Sequence, residues 1–194
     1  VISLVTGLAF RKKFFGSNLL FYTTVASLIV PSILVSLGIG LIFNIMGWEV
    51  SWTTSGLGAH LTWTLPFGFL IMIAVFNRFD KSYEEAARDL GASNWQTIRH
   101  VVLPIIGPSL IGVALFGFTL SYDEFARTLM TSGVKNTLPL EIFGMTTNVT
   151  TPTLYALGTL TTFFSLFMIL TAMGVLFYLR RRQESHGSDA GKGI

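Results

Sequence analysis

An all-α, polytopic transmembrane helix bundle is the fold class this sequence predicts, and three observations predict it. The chain is 51% hydrophobic and 12% charged, with a mean hydropathy of +0.64, against roughly 25% charged residues in a soluble domain. Its charges cluster, leaving uncharged stretches of the length, about 20 residues, that crosses a bilayer core as a helix. Its prolines and 19 glycines interrupt those stretches, which a membrane bundle tolerates because neighbouring helices satisfy the freed backbone.

The elements follow in order. Residues 1–10 read VISLVTGLAF, which as a helix reaches only about 15 Å, half of a hydrocarbon core. The basic residues Arg11, Lys12 and Lys13 follow this run, whereas a signal peptide places them before it. A short buried helix and the C-terminal half of a span that begins before Val1 are both open readings, the second being preferred. Four uncharged runs come next: Leu19 to Met46, Leu57 to Phe76, Val101 to Tyr122 and Leu154 to Leu179. Each is long enough to span. Gly38, Gly40, Gly112 and Gly117 are read as packing or hinge positions. The transmembrane body is expected over residues 1–182, with a polar, disordered tail over 183–194.

Basic residues orient the bundle. Arg11, Lys12 and Lys13 precede the first full span; Arg78, Lys81, Arg88 and Arg99 lie between the second and third; Arg180, Arg181 and Arg182 follow the last. Only Arg127 and Lys135 fall on the alternate loops, so the first set is assigned to the cytoplasm. Trp48 and Trp52 then lie at the outer interface. The small net charge of +3 comes from these loops and gives no nucleic-acid patch, and the absence of cysteine excludes disulfides and thiolate metal sites.

Between the second and third full spans lies a polar island, residues 82–103. Ser82 and Glu85 fit a capping box that starts a helix, and Gly91 suits the left-handed position that would end it at Leu90. Ser93 and Gln96 form a second such box, whose helix is expected to stop near Pro104. Tyr83, Ala86, Ala87 and Leu90 make an apolar face on the first helix, and Trp95, Ile98 and Val102 one on the second. The expected product is a rigid hairpin packed through Leu90 and Trp95. It either docks a soluble partner or lies on the membrane surface.

The island resembles the EAA loop of ABC importer permeases, the inner-membrane components of binding-protein-dependent transport systems. The residues carrying the resemblance are Glu85-Ala86-Ala87, Gly91, Val101, Leu103 and Pro104, with valine at 101 where isoleucine is usual. The likeness extends along the chain. Residues 118–125 (FTLSYDEF) and 137–143 (TLPLEIF), with Ala156-Leu157-Gly158-Thr159, resemble segments of the spermidine/putrescine class. The resemblance implies a bundle of the type I ABC importer kind, of which about four and a half of six spans are present. It also implies coupling to an ATPase through Glu85, Ala86, Ala87, Gly91, Trp95, Val101, Leu103 and Pro104.

The implied partners are a cytoplasmic ABC ATPase dimer, a second permease that is a different chain, an extracytoplasmic solute-binding protein and the lipid bilayer. ATP and Mg belong to the ATPase; this chain has no phosphate-loop motif and needs no cofactor of its own. The implied solute is a polyamine, with opines, phosphonates, amino acids and sugars as alternatives, and a non-transporting scaffold as a further one.

Tyr122, Asp123 and Glu124 are candidate pathway residues, since acids at membrane depth are costly and mark substrate routes. The alternative is a solvated loop start, with Arg127 one turn away as partner. His60 beside Thr62 and Thr64 reads as a hydrogen-bonded packing residue or, alternatively, a relay. No paired catalytic groups or metal-ligand spacing support an enzyme.

Overall fold

The structure, a computed structural model, describes residues 1–148 and 151–189. Among the described residues the regular elements are helices: α1 (Ile2–Ala9), α2 (Ser17–Ser27), α3 (Ser32–Ile45), α4 (Leu57–Asn77), α5 (Ser82–Asp89), α6 (Asn94–Thr97), α7 (Leu103–Tyr122), α8 (Leu138–Asn148) and α9 (Pro152–Asp189). Two wide π-helical turns adjoin them. Trp52–Gly56 leads into α4, and Ile98–Val102 joins α6 to α7.

Among the described residues three helical segments are long and apolar enough to cross a membrane: Trp52–Asn77, Asn94–Tyr122 and Pro152–Tyr178. The run from Leu19 to Met46 differs from the straight span expected of it. It is divided into α2 and α3, bent by 103° at residues 28–31. Pro31 has no N–H to donate and its ring obstructs the preceding turn. The chain therefore closes α2 with tight bonds, Leu28 N–H to Val25 O and Ile29 N–H to Ala26 O, and restarts with Pro31 at the N-cap of α3.

Helix α4 is the hub, packing against α1, α2 and α7. The core at its C-terminal half joins Met72 and Phe76 to Val102 and Ile106, with Leu4 and Leu8 of α1 against them. Helix α1 comes so close that a Cβ on Gly7 would lie 2.8 Å from Met72 Cβ. Of the four glycines expected to pack or hinge, Gly40 packs: a Cβ there would lie 2.6 Å from the Met130 carbonyl oxygen, while Gly38, Gly112 and Gly117 face open space. Around the bundle, Leu160, Phe163, Phe167 and Leu170 of α9 are exposed, the arrangement lipid as solvent permits.

Two further expectations are corrected. The second island helix does not stop near Pro104, because α6, the π turn and α7 form one continuous segment from Asn94 to Tyr122. Pro104 follows the wide turn at Ile98–Val102 directly, and a local π adjustment of this kind is one way a membrane helix accommodates a proline. The tail expected to be disordered from residue 183 is instead helical as far as Asp189, within α9. Residues 190–194 lie outside the described residues.

Candidate functional site

The polar hairpin is built by local bonds. Helix α5 ends in a Schellman arrangement: the Ala92 N–H reaches Ala87 O (3.0 Å) and the Gly91 N–H reaches Arg88 O (2.8 Å). Gly91 holds φ +84°, a left-handed conformation that glycine alone adopts without penalty. The second capping box is present as expected. The Gln96 N–H donates to Ser93 Oγ (3.4 Å) and the Ser93 N–H to Gln96 Oε1 (2.8 Å).

The first capping box is not formed. Asp80 Oδ1 accepts the Ser82 N–H at 2.9 Å, and Lys81 occupies the N-cap without a side-chain bond. Asp80 takes the Ser82 N–H that the box assigns to the Glu85 side chain, and the Glu85 N–H goes to the Lys81 carbonyl (3.1 Å) rather than to the Ser82 hydroxyl. The bond from Ser82 holds the exposed Asp80 carboxyl below its ordinary range.

The hairpin's apolar residues also face the other way from the expected packing. Leu90 is 90% exposed and Trp95 65% exposed, with Tyr83 exposed too. The side turned toward the bundle carries Glu84, Thr97 and Val102, all buried. Periodicity finds an amphipathic face but not which way it points. Of the expected coupling residues, Glu85, Ala86, Gly91, Trp95 and Pro104 lie at the exposed surface, while Ala87, Val101 and Leu103 are half-buried.

Glu84 is a residue the sequence reading passed over. Its Oε1 meets Arg11 Nη1 at 2.5 Å, and Arg88 lies 3.9 Å from its other oxygen. Arg11 also lies over the rings of Phe76 (5.2 Å) and Phe79 (5.4 Å). No local pattern links residues so far apart in sequence.

At the opposite end of α7 the expected pathway residues diverge. Tyr122 stacks on Phe118 (5.6 Å between ring centres) and approaches Phe164 of α9 (5.7 Å). It borders two apolar grooves against α9, of about 340 and 520 Å³. Asp123 is exposed, whereas half-buried Glu124 accepts the Arg127 backbone N–H at 3.0 Å. The expected pairing of acids with Arg127 is therefore a backbone bond. The Arg127 guanidinium turns inward instead, is wholly buried, donates to Thr62 Oγ1 (2.5 Å) and lies 4.8 Å over the Trp63 ring.

The connection after Asp123 is consequently an inserted segment. Met130 N–H donates to Ser36 Oγ (2.9 Å) and Ser55 Oγ–H to Thr131 O (2.8 Å), with Thr128, Thr131 and Ser132 buried. Nearby, His60 Nδ1 and Ser121 Oγ share a 2.8 Å hydrogen bond, in keeping with a hydrogen-bonded packing histidine.

Comparison with known proteins places this geometry. A family model described as "binding-protein-dependent transport system inner membrane component" matches residues 1–185. The spermidine/putrescine transport system permease protein PotC of Haemophilus influenzae is 33% identical over 178 residues, covering 91% of this chain and 65% of that protein. The putrescine transport system permease protein PotI of Escherichia coli is 30% identical over 182 residues, covering 89% and 62%. The chain thus spans somewhat less than two thirds of the length of these relatives. In the inward-facing structure of the MetNI methionine ABC transporter, one chain aligns with a TM-score of 0.67 at 15% identity, covering 92% of this chain and 84% of that one. This likeness shows the fold, that of a type I ABC importer permease. The chain belongs to the family of binding-protein-dependent transport system inner membrane components.

Proposed function

We propose that this chain is a translocation subunit of an ATP-driven solute importer and that it couples to a separate ATPase through the α5–α6 hairpin. The observation carrying the reading is the outward display of Tyr83, Leu90 and Trp95 on a capped, otherwise polar hairpin. Large apolar side chains on a rigid polar element suit insertion into a protein cleft, where an aromatic anchor supplies much of the binding energy. The EAA-type spacing on that same hairpin supports an ATPase as the occupant. ATP hydrolysis then belongs to the partner, and the chain's work is conformational. A second permease subunit and an extracytoplasmic solute-binding protein complete the assembly.

The solute we favour is a polyamine. Two of the relatives are named for spermidine and putrescine, and the exposed Asp123 lies beside the aromatic pair Phe118 and Tyr122. Carboxylates and ring faces are the groups that attract alkylammonium ions.

The test uses the assembled transporter in proteoliposomes. Trp95→Ala is expected to weaken ATPase binding at least about 30-fold, as loss of a hot-spot aromatic does, while the permease remains inserted. Asp123→Asn is expected to raise the KM for putrescine uptake. Undiminished ATPase binding by Trp95→Ala refutes the docking role, and unchanged putrescine kinetics in Asp123→Asn removes the acid from the pathway.

A further inference from the structure

The hairpin touches the bundle at two places of different kind. One is covalent: α6 runs through its π turn straight into α7. The other is Glu84, whose carboxylate is turned away from water and held by Arg11. Arg11 stands just beyond the end of α1. Its N–H bonds back to Leu8 O at 3.3 Å, and its guanidinium is fixed over Phe76 and Phe79 at the cytoplasmic end of α4. Its Nε is buried without a hydrogen-bond partner, so the ion pair and the ring faces are what hold the cation. Helix α1 is itself locked to α4 by the close approaches at Gly7 and at Gly68, where a Cβ would lie 2.5 Å from Ser3 Oγ. Arg11 is therefore part of a stiff α1–α4 unit, and Glu84 is part of the hairpin.

From this geometry we infer that the Arg11–Glu84 pair is a transmission strut: Glu84 is a positioning residue that makes the α1–α4 unit follow the hairpin, separately from the route through α7. The inference rests on the hairpin being the ATPase-coupling element. The pair suits the task because both side chains are largely withdrawn from water, 16% and 11% exposed, so separating them leaves two poorly hydrated charges, which is unfavourable. The two groups therefore move together. Arg88, 3.9 Å away and half exposed, does not take over the role. A lone solvent-facing cation at that range contributes little.

The chain contains no cysteine, so a single introduced thiol can carry a nitroxide in an assembly whose other subunits lack cysteine. Reporters are placed at Val5→Cys on α1 and Ala114→Cys on α7, both exposed. The probe is ATP with vanadate trapping, read as the change in electron paramagnetic resonance line shape in the complete transporter. In otherwise unaltered protein both reporters are expected to respond. With Glu84→Gln or Arg11→Met the Val5 response should fall at least fivefold while the Ala114 response stays within twofold. The preserved Ala114 response also shows that the variant is folded and docked. The double variant should lose no more than either single, Arg11→Lys should restore part of the response, and Arg88→Ala should leave it intact. A Val5 response that survives Glu84→Gln, or losses that multiply in the double variant, overturns the strut while leaving the hairpin's coupling role standing. If neither reporter responds in unaltered protein, the coupling role itself fails and the strut with it.

Discussion

The α5–α6 hairpin and the connection from Asp123 to Leu138, the outer connection in the orientation that the basic residues predict, both join helices, yet they are constructed on opposite principles. The hairpin is stabilised by bonds among near neighbours, Asp80 to Ser82, Ser93 to Gln96 and Ala87 to Ala92, and it shows its apolar side chains to the outside. The outer connection is stabilised by distant partners, Thr62, Ser55 and Ser36, and it buries its polar side chains. One is a preformed part that keeps its shape wherever it is carried. The other has a shape only where α3 and α4 supply the mould.

The turn glycines sharpen this contrast most. Gly91 (φ +84°) has open space around it, while a Cβ on Gly133 (φ +70°) would lie 2.1 Å from the Val50 carbonyl oxygen. At Gly91 an alanine costs only the left-handed backbone, about 1–2 kcal/mol. At Gly133 the collision with fixed backbone adds to that, for a total of about 3 kcal/mol or more. Denaturant titration in mixed micelles measures both, and equal costs would erase the distinction. The open space also means that Asp, which tolerates this backbone better than most residues, perturbs Gly91 less than a β-branched residue does. Gly91→Val is the stronger disruption of the hairpin.

Arg127 and Arg88 provide the next comparison. Arg127→Ala removes a buried cation, its Thr62 bond and its contact with Trp63, a loss of about 2–4 kcal/mol. Arg127→Met keeps the volume without an unpaired charge and should stay within about 1 kcal/mol. Arg88→Ala on the exposed hairpin should cost less than about 0.5 kcal/mol by the same titration. Between the two arginines in size lies Ser93→Ala. It removes one local cap for about 1 kcal/mol of helix stability, seen as faster amide exchange at Gln96 and Thr97 with the outer connection unaffected.

The smallest effect is a pH dependence. Asp80 has its acidity strengthened by the Ser82 N–H bond, so its cap is fully present above the ordinary aspartate pKa and is lost as pH falls through the lowered value in the folded protein. The Ser82 amide resonance should titrate below the range of a free aspartate, and Asp80→Asn should abolish that titration.

The same contrast explains what could be read from the amino acids. The uncharged runs at Leu57–Phe76 and Leu154–Leu179, the Ser93–Gln96 box and the turn at Gly91 are short-range features, and each appears in the structure. Ser82 failed as a cap because the carboxylate of Asp80, two residues away, took the amide that the box assigns to Glu85. The bend at Pro31 had a local signal, but its 103° angle is set by what α2 and α3 pack against. Burial of Arg127, the inward turn of Glu84 and the outward turn of Leu90 and Trp95 depend on helices brought together from elsewhere in the chain. Such facts have no spacing to betray them.

The wide turn at Ile98–Val102 sets a phase. A π turn accommodates one residue more than an α-helical turn would, and one residue in an α-helix is about 100° of rotation. The direction in which Trp95 points is therefore offset by that angle from the direction an uninterrupted helix would give it relative to α7. Deleting a single residue within 98–102 would leave the helix continuous and both ends well formed, but would swing Trp95 about the axis by roughly a quarter turn or more. The direction in which the hairpin presents Trp95 is thus fixed inside the helix that follows it.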